Sequence, residues 1–395
     1  MIRKNKAAIS LIILVITIIV LSILATIVII SISNTDVINE SRLSVFKADM
    51  TTYNDMYDTY IVKRTLRDMS FDETYLYLTY MDEEYGNIFG DVSDKYKENL
   101  KIVSGYLVYE TKSDAEKDIL KEIGMKVFVT KDTNALEKSP YIGCFADVDG
   151  DGNVDGVIFA DLLEGWSAES YEDYWTRREG GSFNITPQKV SQAEVKNYYV
   201  SQESYTVTNS EGEILAGYES KSVLTAIGSG KDRFYVMALS DFETAEHSTF
   251  YWYYNGNVTN YSEVTAYGFG TGKSNTHNMI EKWNLGEASN GGYGAQNARD
   301  LWGVIQQKVY GPNYANDIKE VEDVIWFLPS IEEWCAFAKA FNITSSSYIA
   351  MGLSGKYYSS TSWNAYGVRQ PFFDEDTPYG GGIYWFNPIR LATTF

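Results

Sequence analysis

Two cysteines, two histidines and seven prolines in 395 residues leave little material for several kinds of chemistry. With only Cys144 and Cys335 there is no multi-disulfide scaffold; the two either pair outside a cell or stay lone buried thiols. His247 and His277 stand in dissimilar polar stretches with no nucleophile or metal-ligand partner in view, so no acid/base pair emerges and an enzyme is not expected. Basic residues are also short: 33 Lys and Arg face 53 Asp and Glu, a net charge of -20, which argues against an extended nucleic-acid footprint. A nucleotide loop is missing as well. Gly228-Ser229-Gly230-Lys231 lacks the four-residue spacer of a phosphate loop and precedes a strand-like run, Phe234 to Leu239.

What is plentiful is aromatic and small: 32 Tyr, 9 Trp and 31 Gly point to well-packed, β-rich structure over most of the length. The N-terminal end differs. Arg3, Lys4 and Lys6 precede a run from Ala7 to Ile32 without charge, which as a helix rises about 39 Å against roughly 30 Å of hydrocarbon. A transmembrane helix over 9–33 is therefore expected. Basic residues before it and Asp36 and Glu40 after it put the N-terminus in the cytoplasm. Ser31-Ile32-Ser33 offers a signal-cleavage alternative, but the apolar run exceeds the roughly 7 to 15 residues of a signal peptide. Leu43, Phe46, Met50, Tyr53, Tyr57 and Tyr60 then recur at steps of three and four, an a/d seam on a polar helix. Such a seam covers a neighbouring subunit, or packs on its own domain.

Beyond it, Ile102 to Tyr109 reads as a hairpin turning at Ser104-Gly105, and Ser113 caps a helix through Ile123 that Gly124 closes. The basic stub, the apolar helix and its amphipathic continuation together resemble the type IV pilins and pseudopilins. The likeness rests on Ala7-Ala8-Ile9-Ser10-Leu11-Ile12-Ile13 and implies a leader over 1–8, cut by a prepilin peptidase between Ala8 and Ile9. Two positions depart from the family pattern: Ala8 replaces Gly before the cut, and Ile13 replaces the usual Glu. The resemblance implies residence in the cell membrane, exposure at the extracellular surface and assembly with other pilin subunits. Residues 34–131 would be the amphipathic helix and pilin-like head.

Asp147, Asp149, Asp151 and Asp155 occupy positions 1, 3, 5 and 9 of a loop, with Gly152 at 6 and Asn153 at 7. Hard oxygen ligands around a sharp turn suit Ca2+. Ile158 stands where an EF-hand has its bidentate Glu, so the loop is not an EF-hand, and Asp161 offers a later ligand. The alternative is an Asx-rich turn whose carboxylates accept backbone hydrogens.

Trp326-Phe327-Leu328-Pro329-Ser330-Ile331-Glu332-Glu333-Trp334 reads as a strand that turns at Pro329 and enters a helix with Ser330 and Glu333 as a capping box. With Tyr357-Tyr358-Ser359-Ser360-Thr361 and the closing Ile389-Arg390-Leu391, also read as strands, this series resembles the C-type-lectin-like fold of formylglycine-generating enzymes and retroelement variable proteins. That likeness implies a lectin-like domain over 132–395 whose ligand contacts lie between the last strands. Cys335 has no second cysteine nearby, so the enzymatic activity is not implied. The residues assigned to ligand contact are Tyr357, Trp363, Asn364, Tyr366, Arg369, Phe372 and Asp374, all but Tyr357 expected to be the most exposed. The composite expectation is an α+β chain: a long N-terminal transmembrane and amphipathic helix with a small pilin-like head, then a C-type-lectin-like domain. Its expected role is surface display of an adhesin that binds an extracellular protein or glycan, one form of which is a diversity-generating retroelement target. The alternative is a structural pseudopilin of a secretion or DNA-uptake machine.

Overall fold

The computed structural model describes residues 17, 20–22, 36–68, 81–82, 86–87, 95–96, 98–103, 105–134, 137–166, 188–252, 261–262, 265–287, 299–311, 320–364, 367–375, 377–382 and 385–395. The chain divides into two compact units, Met1–Val127 and Phe128–Phe395.

In the first unit, α1 (Asp36–Asp68) is a polar helix carrying one apolar stripe. Phe46, Met50, Tyr53, Tyr57 and Tyr60 of that stripe are buried and Leu43 is half-buried. Their cover comes from the same unit. The two-residue strands β1 (Met81–Asp82) and β2 (Gly86–Asn87) pair with each other, and the hairpin β3 (Leu100–Val103) and β4 (Tyr106–Tyr109) turns at Gly105, whose φ of 79° suits glycine. Helix α2 (Asp114–Glu122) follows, with the Ser113 hydroxyl accepting the Glu116 N–H and Gly124 at φ 81° just beyond its end. Leu100, Leu107, Tyr109 and Leu120 from these elements join Tyr96 in closing over the seam. The Phe46, Tyr96 and Tyr109 rings meet edge-on at 5.1–6.0 Å, and the Tyr96 hydroxyl donates to Asp49 at 2.8 Å. The seam is thus a core-facing stripe, which is what such spacing does whenever a head supplies apolar partners.

The expected fold class needs correction. The described residues form a mixed α/β architecture with a large sheet, and no helix among them is long and apolar enough to cross a membrane. The one long helix that is described at this end, α1, cannot span, because its apolar residues are confined to one stripe between charged and polar ones, as in Arg42, Lys47, Asp49, Asp55 and Asp58. Ala8, Ile9, the leader 1–8 and most of 9–33 lie outside the described residues.

In the second unit a seven-stranded sheet is built from β5 (Phe145–Asp147), β6 (Gly156–Asp161), β7 (Asn197–Tyr205), β8 (Lys221–Ile227), β9 (Phe234–Ala238), β10 (Trp326–Phe327) and β14 (Ala392–Thr394). Its order is β10-β14-β9-β6-β5-β8-β7, antiparallel except for the parallel pair β5 and β8. Three helices, α3 (Gly272–Asn284), α4 (Leu301–Tyr310) and α5 (Ile331–Ala340), and a small sheet of β11 (Ser362–Asn364), β12 (Gly367–Phe372) and β13 (Thr377–Gly382) complete it.

The large sheet is covered on both faces. Along β9, Phe234 and Val236 enter one cluster with Ala146, Ile158 and Leu224, while Tyr235 and Met237 enter another with Phe159, Trp334 and Phe337 of α5. Cys144 belongs to the first cluster and Cys335 to the second, and both are buried and outside any disulfide. At Gly156, a side chain would collide with Val236 and the Met237 carbonyl of the adjacent strand, so β6 and β9 approach this closely only with glycine there.

Helix α5 begins as its sequence requires. The Ser330 hydroxyl accepts the Glu333 N–H at 3.2 Å and the Glu333 carboxylate accepts the Ser330 N–H at 2.7 Å. The same carboxylate also receives the N–H groups of Gly270 (3.0 Å) and Gly272 (3.2 Å), which fixes the entry to α3. Residues 357–361 form no ladder. The N–H groups of Tyr357 to Ser360 go in turn to the carbonyls of Pro371, Pro388, Arg369 and Pro329, and that of Thr361 to the Ser359 hydroxyl, so the run threads between elements and the strand starts only at Ser362.

Candidate functional site

The acidic loop joins β5 to β6. Asp147, buried at the end of β5, accepts the Gly150 N–H (2.9 Å) on one oxygen and the Gly152 N–H (3.2 Å) and Thr225 hydroxyl (3.1 Å) on the other. Asp149 and Asp151 are exposed and accept the N–H groups of Asp151 and Asn153. Positive φ at Gly150 and Gly152 makes the reversal possible. One carboxylate oxygen from each of Asp147, Asp149 and Asp151 lies within 4.8 Å of the others, a grouping able to hold a metal ion. The donor set is all oxygen, which fits a hard cation.

The other two predicted ligands take part in hydrogen bonds within the loop. The Asn153 amide donates to Asp151 at 2.9 Å, and this residue's hydrogen bonds hold the Asp151 carboxyl below the usual range. Asp155 closes the neck of the loop by accepting the Val148 N–H at 2.7 Å; burial, with repulsion from Asp149, Asp147 and Asp151, pushes its carboxyl up. Asp161 is not a late ligand. Its two oxygens take Nε and Nη2 of Arg233 at 2.9 and 2.8 Å, and it is buried with that partner.

The residues assigned to ligand contact are dispersed by burial. Every residue of β12 is buried, so Arg369 and Phe372 are not the exposed contacts expected of them: this strand lies between β11 and β13. Arg369 packs its guanidinium over Trp363 at 4.8 Å and Tyr267 at 5.7 Å. Trp363 and Asn364 are half-buried, Tyr357 is fully buried, Asp374 is exposed, and Tyr366 lies outside the described residues.

Tyr357 and Asp374 nevertheless reach one place. A cleft of about 500 Å3 is lined by Asp241, Glu243, Tyr348, Ser354, Lys356 and Asp374 among others. A second cleft of about 730 Å3 shares Asp241 and Glu243 with it and continues past Asp155, Phe242 and Trp326. Asp241, just after β9, is held by residues far away in sequence. The Arg390 Nε donates at 2.8 Å, the Tyr357 hydroxyl at 2.7 Å and the Ser354 hydroxyl at 3.1 Å. Arg390 is itself buried and bonds the Gly352 carbonyl at 3.0 Å. Glu243 and Asp374, by contrast, are exposed, and no hydrogen bond or ion pair engages either side chain among the described residues. Lys356 rests its ammonium over the Phe372 ring at 4.6 Å.

Reasoning from sequence missed Asp241, Glu243 and Arg233. The pairing signal for Arg390 was only its place in the closing strand-like run. Compared with known proteins, the chain matches no family model, no curated protein and no solved structure.

Proposed function

We propose that this chain is a surface binding protein, in which a pilin-like first unit carries a lectin-like second unit that takes an extracellular protein or glycan ligand. The observation that supports it most is the cleft beside Asp241. Two of the residues assigned to ligand contact serve it, Tyr357 by holding Asp241 and Asp374 by lining its wall. A fixed carboxylate backed by a buried Arg, beside free polar groups, is the arrangement by which a preformed pocket orients a ligand. The test is adhesion by particles coated with the full chain. With Glu243→Gln and Asp374→Asn together, attachment should drop several-fold while the folded protein is retained. Unchanged attachment, with loss of assembly or transport instead, would return the chain to the structural pseudopilin class.

Calcium is the ion this reading assigns to the Asp147, Asp149 and Asp151 loop, where it would brace the β5–β6 connection. Three carboxylates so close repel one another unless a cation sits among them. Titration of chelator-treated protein with Ca2+ in a calorimeter should give saturable heat that Asp149→Asn with Asp151→Asn abolishes. Absence of heat with the unaltered protein would make the loop an Asx-rich turn.

A further inference from the structure

Resting on the reading of the cleft as a ligand site, we propose that its ligand is a chain bearing alkylammonium or guanidinium groups, which lies across the two clefts that share Asp241 and Glu243, with its charges on Glu243 and Asp374. Three observations carry this.

The first is charge. Asp241 already has its counter-ion in Arg390, so it contributes a nearly neutral pair. Among the described residues Glu243 and Asp374 have none, and Lys356, which lines the smaller cleft, keeps its charge over the face of Phe372, so the two clefts together stay net negative. An anionic ligand would therefore meet uncompensated carboxylates, whereas a cation would complete them.

The second is shape. The clefts of about 500 and 730 Å3 share Asp241 and Glu243 as lining residues, so both open beside the same two carboxylates. A compact ion would use one end. An elongated ligand uses both.

The third is the wall of the larger cleft. Trp326, half-buried, and Phe242 line it together with Val309 and Leu391, in the same cleft as the acidic residues. Aromatic and aliphatic lining in one cleft with carboxylates accepts the methylene stem of a lysine-like side chain and its charged head at once.

Such groups come from a basic peptide segment or from a free polyamine, and the experiment separates the two. Capped tetralysine, the same peptide with every lysine acetylated, and spermidine are titrated into the full chain by calorimetry at low and moderate salt. Tetralysine should bind and its acetylated form should bind at least about tenfold more weakly. Glu243→Gln with Asp374→Asn should weaken tetralysine at least about tenfold, while Glu211→Gln, an exposed carboxylate outside the clefts, should leave it unchanged. Tight binding of spermidine alone would name the polyamine as the source, and of tetralysine alone the peptide.

Equal binding of the acetylated peptide, or equal loss in Glu211→Gln, overturns the proposal, the latter by showing that the general charge of -20 attracts polycations anywhere. If neutral oligosaccharides bind, lose affinity in the double variant, and the cations do not bind, the ligand class is wrong and the cleft still binds. If neither kind binds, the reading of the cleft falls too.

Discussion

Asp161→Ala should lower the unfolding free energy of the second unit by about 3–5 kcal/mol, the cost of leaving a buried guanidinium without its counter-ion. Arg233 is completely buried, and its three donor nitrogens are all used: two on Asp161 and Nη1 on the Thr130 carbonyl at 2.9 Å. Asp161 also accepts the Ser139 hydroxyl at 2.5 Å and the Leu163 N–H at 3.0 Å. The guanidinium lies over the rings of Tyr141 at 5.0 Å and Phe234 at 4.7 Å, and among the described residues no second carboxylate pairs with it. Charge is the issue, not volume. Replacing both partners with apolar residues of similar size should therefore cost much less than Asp161→Ala alone. Urea unfolding followed by tryptophan fluorescence measures both variants, and a loss under about 1 kcal/mol for Asp161→Ala would show that water reaches Arg233.

Stability should also fall as pH rises from about 4.5 to about 7, and Glu333 should be the cause. Burial pushes this carboxyl from 4.5 up to about 7, against the opposing donors of Ser330, Gly272 and Gly270. The folded-state value lies above the unfolded one, so the folded chain binds the proton more tightly. That contribution is fully present below about 4.5, declines through the window and is gone above about 7. A shift of this size corresponds to on the order of 3 kcal/mol between the ends of the window. Glu333→Gln keeps an oxygen for the glycine N–H groups and cannot ionise, so its urea midpoint should change less between pH 5 and pH 7.5 than that of the unaltered protein. Parallel pH dependences in the two would assign the effect to other groups. Gly272 adds a steric condition: a side chain there would meet Glu333 and Phe327, so a substitution at Gly272 should disturb the same carboxylate.

The parts legible in the sequence are those whose hydrogen bonds span three or four residues. Ser113 at the head of α2, Ser330 with Glu333 at the head of α5, and the turn at Gly105 were each readable because donor and acceptor lie in one short window. The stripe from Phe46 to Tyr60 was readable as well, since helical period alone puts those residues on one face. Its partner was not, and the packing onto the hairpin and α2 belongs to tertiary structure. Arg233 with Asp161 and Arg390 with Asp241 are separated by 72 and 149 residues, and no local pattern marks either pair. The same limit explains β12. Aromatic, Arg and Asn side chains between glycines have the composition of a binding surface, yet a strand flanked on both sides buries Arg369 and Phe372. The acidic loop shows both outcomes: its spacing brought Asp147, Asp149 and Asp151 together, while Asp155 and Asn153 are spent on hydrogen bonds inside the loop.

Asp241 and its neighbours separate what descent can alter from what it must keep. The carboxylate of Asp241 is fastened to Arg390, Tyr357 and Ser354, so a change at any of these four positions disturbs the framework along with the cleft. Among the described residues the side chains of Glu243 and Asp374 are fastened to nothing, and both stand exposed in the lining of the smaller cleft. Variation at those two positions can therefore retarget the molecule at little cost to folding. Related chains that diverge in preference should differ first at 243 and 374, and last at 241 and 390.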